Sequence, residues 1–203
     1  MTNVQQRRMR LTRRRLAQVV TEVCSPVVLS IGLLLIVGAA STSNPLVGLG
    51  WGLLAALFVG VIPYGFLLLG IRRGRWTDRH VRIREQRTVP LAFAIASVVV
   101  GVGVLAVAGA PQQLIALVIA GLAGLAVTAV VTLAWKISIH TAVASGTATI
   151  LFLVFGPALL LTWPLVACVG WSRMELRDHS PAQVIAGAVV GTLVAAAVFT
   201  TLR

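Results

Sequence analysis

TVPLAFAIASVVVGVGVLAVAGAPQQLIALVIAGLAGLAVTAVVTLAW, residues 88–135, carries no charged side chain along its whole length. A run this long and apolar is unstable in water. At 1.5 Å rise per residue it holds two crossings of a hydrocarbon layer about 30 Å thick. Ala110-Pro111-Gln112-Gln113 supplies the reversal between them, because proline cannot continue the preceding helix. The stretch therefore reads as a pair of membrane helices.

The flanking sequence repeats the pattern. Val23 to Ile71 is equally free of charge and is broken at Ser41-Thr42-Ser43-Asn44-Pro45. Ile137 to Ser172 contains no Asp, Glu, Lys or Arg, with a reversal expected at Gly156-Pro157 and a short, tilted or broken member at Pro164. His179 to Leu202 supplies a last span. The expectation is an all-α, polytopic membrane bundle of six or seven transmembrane helices. Residues 1–22 form a basic N-terminal segment, 23–71 two transmembrane helices, 72–88 a basic loop and 89–203 the transmembrane core. Composition agrees: 58% of the 203 residues are hydrophobic and 11% charged, with a mean hydropathy of +0.97. Gly187 and Gly191 in the last span have the spacing of close helix packing.

The net charge of +12 does not point to nucleic acid, since the basic residues flank spans rather than interleave with aromatics on a soluble scaffold. Flanking charges set topology and meet anionic membrane lipids. Tracing the spans brings Arg7–Arg15, Arg72–Arg87, Lys136, Arg173 and Arg177 to one face. That is sixteen of the seventeen basic residues, all but Arg203. The positive-inside rule makes this face cytoplasmic and the chain a multi-pass protein of the cell membrane. Cys24 and Cys168 lie in apolar surroundings, which argues against a disulfide framework or metal cluster. The apolar start runs on too long for a cleaved signal peptide.

All three histidines, His80, His140 and His179, fall on or beside the basic face. His140 follows Lys136-Ile137-Ser138-Ile139, and His179 follows Ser172-Arg173-Met174-Glu175-Leu176-Arg177-Asp178, each at the start of an apolar segment. A phosphoryl group in transfer spreads charge over its equatorial oxygens and needs fixed cations. Arg173, Arg87 and Lys136 are candidates, and Ser138 adds a hydroxyl. A histidine can attack phosphorus when an acceptor holds its other ring nitrogen, as Gln183 would for His179. A second histidine, His140, is placed to protonate the leaving oxygen. Ser180-Pro181-Ala182-Gln183 is at the same time a capping box for the last helix. Lys136 after Trp135 equally suits the interfacial end of a span.

Ser172-Arg173-x5-His179 resembles the third signature of the type-2 phosphatidic acid phosphatases, membrane relatives of the vanadium haloperoxidases. Ser138-Ile139-His140 is similar to the second signature, Pro-Ser-Gly-His, with Ile137 and Ile139 in place of Pro and Gly. The resemblance covers residues 136–191. It implies His179 as nucleophile, His140 as proton donor and Arg173 as phosphate ligand. Gln183 stands where the family usually has an Asp that orients and stabilises the ring; members resembling dolichyl-diphosphate phosphatases also carry Gln. The first signature, Lys-x6-Arg-Pro, is matched only by His80-x6-Arg87-Thr88, with Arg82 in the same run as a further phosphate-binding candidate. Two spans separate that loop from His140, where the family has only a loop.

The resemblance implies metal-independent hydrolysis of a lipid phosphate through a phosphohistidine, with no cofactor and no protein partner called for. A (poly)prenyl diphosphate is the expected substrate, given the apolar bundle and the excess of positive charge beside the site. A prenyl-diphosphate cyclase or transferase is the alternative, although its Asp-rich magnesium motifs are missing, Asp78 and Asp178 being isolated. A catalytically silent lipid-phosphate binding or transport protein is the other. A zinc hydrolase lacks any ligand spacing of the HExxH kind.

Overall fold

The computed structural model describes residues 3–203 except His80 and Arg82, and not the side chains of 3, 4 and 6–10. The expectations placed on His80 and Arg82 fall outside the described residues. What is described is all-helical. The helices are α1 Asn3–Val23, α2 Pro26–Ala40, α3 Pro45–Ala56, α4 Ile62–Arg72, α5 Thr88–Ala108, α6 Gln112–Ala134, α7 Ile139–Phe155, α8 Trp163–Glu175 and α9 Pro181–Leu202. A wide π turn, Leu57–Val61, joins α3 and α4 into one rod, Pro45–Arg72.

Four rods are long and apolar enough to cross a membrane: Pro45–Arg72, Arg84–Ala108, Gln112–Ala134 and Pro181–Leu202. The pair Leu11–Val23 and Pro26–Ala40, bent by 43°, makes five if taken as one span. This measure does not confirm the expected six or seven spans, because the interval 137–172 divides into two short helices, as the expectation of a short or broken member at Pro164 allows. Gly156, at φ +90°, ends α7 after 17 residues, about 26 Å. A 3-10 turn, Pro157–Thr162, leads into α8, which has only 13 residues and takes Pro164 in its first turn.

Local chemistry sets these boundaries. Asn44 caps α3 through its side chain, accepting the Leu46 N–H at 3.0 Å, with Pro45 at the first helical position. Ser138 caps α7 in the same way, and Ser180 caps α9. In lipid the hydrophobic effect does not drive helix against helix, so close backbone approach and hydrogen bonds between helices become decisive. Along α7 and α9 both are present. Thr141 Oγ1 donates to the Val184 carbonyl at 3.1 Å, and Ser145 Oγ to Ala188 at 2.8 Å. A methyl at Gly187 would sit 2.5 Å from the Ser138 carbonyl oxygen, and one at Gly191 would collide with the Ala142 carbonyl.

Contacts at the two ends of the bundle verify the alternation read from the charges. At one end Arg13 pairs with Glu175 (3.9 Å), Arg79 with Glu22 (2.9 Å), and Arg84 donates to the Leu133 and Ala134 carbonyls. At the other, Ser41 donates to Gln113, Gln112 to the Leu202 carbonyl and Arg203 to the Leu153 carbonyl. The loops holding His140 and His179 lie at the first end.

Candidate active site

The turn from α8 to α9 is built around one carbonyl. Arg177 adopts a left-handed backbone, φ +59°, which swings the chain back on itself. The Asp178 and His179 N–H groups then both donate to the Arg173 carbonyl, at 3.0 and 3.3 Å. Arg173, on the last turn of α8, and His179, just ahead of α9, are thereby brought together by six residues of sequence. The Ser138 N–H donates to the Gln183 carbonyl at 3.2 Å and docks the start of α7 on the first turn of α9. That joins the His140 turn to the His179 turn.

Gln183 does two things with one oxygen. Its Oε1 accepts the Ser180 N–H at 3.2 Å, completing the capping box, and lies 3.1 Å from His179 Nδ1. The Ser180 N–H requires an acceptor at that point, so the amide cannot be turned around. His179 Nδ1 must then be the protonated nitrogen, which leaves the lone pair on Nε2. His179 lies outside the spanning segments and is buried. Burial first, then the charges of Arg173, Arg87 and Lys136, press its pKa down from 6.5 to about 3, against the opposing effect of the hydrogen bond it donates to Gln183. The ring is neutral at physiological pH.

Arg173 is 1% exposed. Its Nη2 pairs with Asp178 Oδ2 at 2.8 Å and its Nη1 reaches Thr21 Oγ1, on α1, at 3.4 Å. Arg87 is buried as well, donating from Nε to the Val81 carbonyl (2.8 Å) and from Nη1 to the Ile137 carbonyl (3.2 Å). It thus clips the 73–87 loop to the turn before α7. Trp76 anchors that loop, lying over Gly70 and 5.3 Å from the Phe66 ring.

A cavity of about 340 Å³ opens between α2, α4, α5, α6, α7 and α9. Arg87, His140 and His179 line its polar end, where Glu22 and Arg79 also reach it. Its far end is apolar, with Val98, Leu117, Ile150 and Ala195 on the wall. From His140 to Ile150 along α7 it runs about 15 Å. Of the candidates read from the sequence, His140, His179 and Arg87 face this space. Arg173 and Gln183 stand directly behind His179, Ser138 is fully buried as the cap of α7, and Lys136 is half-buried at the turn before it.

Two participants escaped sequence reasoning. Asp178 carried a weak signal, a carboxylate next to the histidine and five residues after the arginine. Thr21 carried none. It reaches Arg173, and bonds Ser172 Oγ at 3.1 Å, from 151 residues away in the chain.

No curated protein and no solved structure matches the chain. The model of the PAP2 superfamily matches residues 94–203, more than half of the sequence. The matched region contains His140, Arg173, His179 and Gln183, whereas Arg87 and Thr21 come from outside it. With its apolar helices and the Ser-Arg-x5-His turn opening on the cavity, the chain belongs to the PAP2 superfamily, as a multi-pass membrane phosphatase of that type.

Proposed function

We propose that the protein hydrolyses a (poly)prenyl diphosphate or a related single-chain lipid phosphate, without a metal, through a phosphohistidine on His179. The observation that carries this reading is the cavity: an apolar shaft whose polar end is lined by both histidines and Arg87. A headgroup at that end would leave its chain in the shaft.

In the first step the His179 Nε2 lone pair attacks the terminal phosphorus. The bond from phosphorus to the leaving oxygen breaks, and His140 gives that oxygen a proton. The charged phosphohistidine keeps its Nδ1 proton on Gln183. In the second step His140 takes a proton from water, the resulting hydroxide attacks phosphorus, and the P–N bond breaks to return neutral His179 and inorganic phosphate. Arg173 and Arg87 meet the equatorial oxygens, where negative charge is spread in both transition states. Lys136 and Ser138 stand at the adjoining turn as further anion ligands. Arg82, from the same basic loop as Arg87, is the remaining proposed ligand.

Positive charge at the histidine end supports placing that end in the cytoplasm, against anionic lipid. The cytosolic pool of isoprenoid diphosphates would then be the accessible one. The test is phosphate release from farnesyl, geranylgeranyl and undecaprenyl diphosphates beside phosphatidic acid, in excess EDTA and with vanadate as inhibitor. Release from the diphosphates that survives EDTA and falls with vanadate is the expected result. A magnesium requirement would favour a prenyl-transferring enzyme, and preference for phosphatidic acid would overturn the substrate. Vanadate binding without release from any lipid would point to a silent lipid-phosphate binder.

A further inference from the structure

The partner of His179 Nδ1 is a neutral amide, yet the site contains a buried carboxylate one residue away. Asp178 is 9% exposed, and its Oδ2 lies 2.8 Å from Nη2 of Arg173, itself 1% exposed. The backbone fixes it there: the Asp178 N–H is bonded to the Arg173 carbonyl, and the left-handed Arg177 turns the side chain inward. From the other side Thr21 holds Nη1 at 3.4 Å. A guanidinium is a rigid plane, so two contacts from separate elements set its orientation as well as its position.

We propose that Asp178 is a positioning residue for phosphoryl transfer. It holds the plane of Arg173 at the angle that meets the phosphoryl oxygens, with Thr21 as its lesser partner. The site's buried negative charge is thus spent on the arginine, while His179 is oriented by an amide. This role rests on the reading of Arg173 as a phosphate ligand. It explains why a buried arginine without its carboxylate would be doubly compromised, since an unpaired buried charge is unstable and a long side chain without its second contact is misdirected.

The experiment is a double-mutant cycle on the full chain in lipid nanodiscs, with Asp178→Asn, Arg173→Gln and the double variant. Lipid-phosphate turnover and the vanadate affinity are both read. Asp178→Asn is expected to lower kcat/KM and vanadate affinity about 10–100-fold, with KM for substrate moving much less, as for a misplaced catalytic contact. In the Arg173→Gln background the same change should have almost no effect, and Asp178→Glu should recover part of the loss. Thr21→Val, which leaves no buried charge unpaired, should give a smaller loss that also vanishes once Arg173 is Gln; it keeps the test open if Asp178→Asn fails to fold. Losses that simply multiply, or an Asp178→Asn variant indistinguishable from wild type, would overturn the positioning role. A wild-type protein that turns over no lipid phosphate sinks the functional reading instead, and coupling in vanadate affinity then still decides the role of Asp178.

Discussion

His179 Nδ1 lies 3.1 Å from Gln183 Oε1, and the same oxygen accepts the Ser180 N–H at 3.2 Å. One amide therefore holds a helix cap and a histidine tautomer together. The stability of α9 and the readiness of the His179 ring are consequently linked through one residue.

Gln183→Leu should break both. Loss of the bond from the Ser180 N–H to the Gln183 side chain costs about 0.5–1.5 kcal/mol of stability, while Ser180 still caps the residue-183 N–H. Activity should fall further, about 10²–10⁴-fold, because the Nε2 lone pair is no longer enforced. Gln183→Glu, the isostere, keeps an acceptor at the same point and adds a charge beside the His179 ring, so its activity should match or exceed that of the wild type. Steady-state phosphate release and thermal unfolding in detergent measure the two effects separately.

His179 also makes a prediction about acid. Its native pKa lies near 3, below the ordinary 6.5. Between these values the unfolded chain binds a proton that the native site refuses, so stability falls as pH drops from 6.5 towards 3 and levels off below that. The slope from this group is at most about 1.4 kcal/mol per pH unit. His179→Asn should flatten the melting temperature against pH across this window while abolishing turnover. A variant as acid-sensitive as wild type would show that the ring is already protonated in the native state.

Much of this site is legible in the sequence. Ser180-Pro181-Ala182-Gln183 announced the cap, and its spacing from His179 announced the ring contact. The spacing of charges along the chain is enough to bring the His140 and His179 turns to one end, because each long apolar interval has an internal reversal and returns the chain to the end it left. The Arg173–Asp178 pair was harder to see, since it depends on the left-handed turn at Arg177, a non-glycine residue with no local signature. Thr21 was invisible, as only tertiary packing of α1 against α8 brings it to Arg173. Gly156-Pro157 marks the reversal in the interval 137–172, but the lengths of the two helices on either side, 17 and 13 residues, depend on packing that the sequence does not spell out.

The α7–α9 seam should be intolerant of small additions. A methyl group at Gly191 would overlap the Ala142 carbonyl and Ser145 Oγ, and that backbone has no room to recede. Gly191→Ala should destabilise by about 1–3 kcal/mol, the range for overpacking. It should also depress activity, since the seam carries the Ser138–Gln183 backbone bond that docks one histidine turn on the other. Gly124→Ala, in the interior of α6 with open space around it, is the control and should keep or raise the melting temperature, since Ala is the better helix former.

Sidedness follows from the two ends of the bundle. Single cysteines introduced at Trp135 and Ser180, both exposed at the histidine end, should react together with a membrane-impermeant maleimide, and one at Leu46 at the other end should react from the opposite side. Cys24 and Cys168 are first replaced by Ala. In sealed cells the first two should be protected and the third labelled, the pattern of a cytoplasmic histidine end. Protection of the third with labelling of the first two would invert the orientation and bring envelope carrier lipids into reach.

The cavity makes the most specific demand. Val98 on α5, 3% exposed, lines the apolar part of the cavity with Ala195 and with Ile150, which stands roughly 15 Å beyond His140 along α7. Filling that part leaves the histidines and Arg87 untouched but shortens the space for a chain. Val98→Trp should therefore reduce kcat/KM for geranylgeranyl diphosphate while sparing farnesyl diphosphate. A shift of about tenfold or more in their ratio is expected, since one methylene in a closed apolar pocket already discriminates by about 10-fold or more. Equal losses on both chains would mean that the lipid tail lies outside the shaft, along the surface of the bundle, and would remove the cavity as the basis of chain recognition.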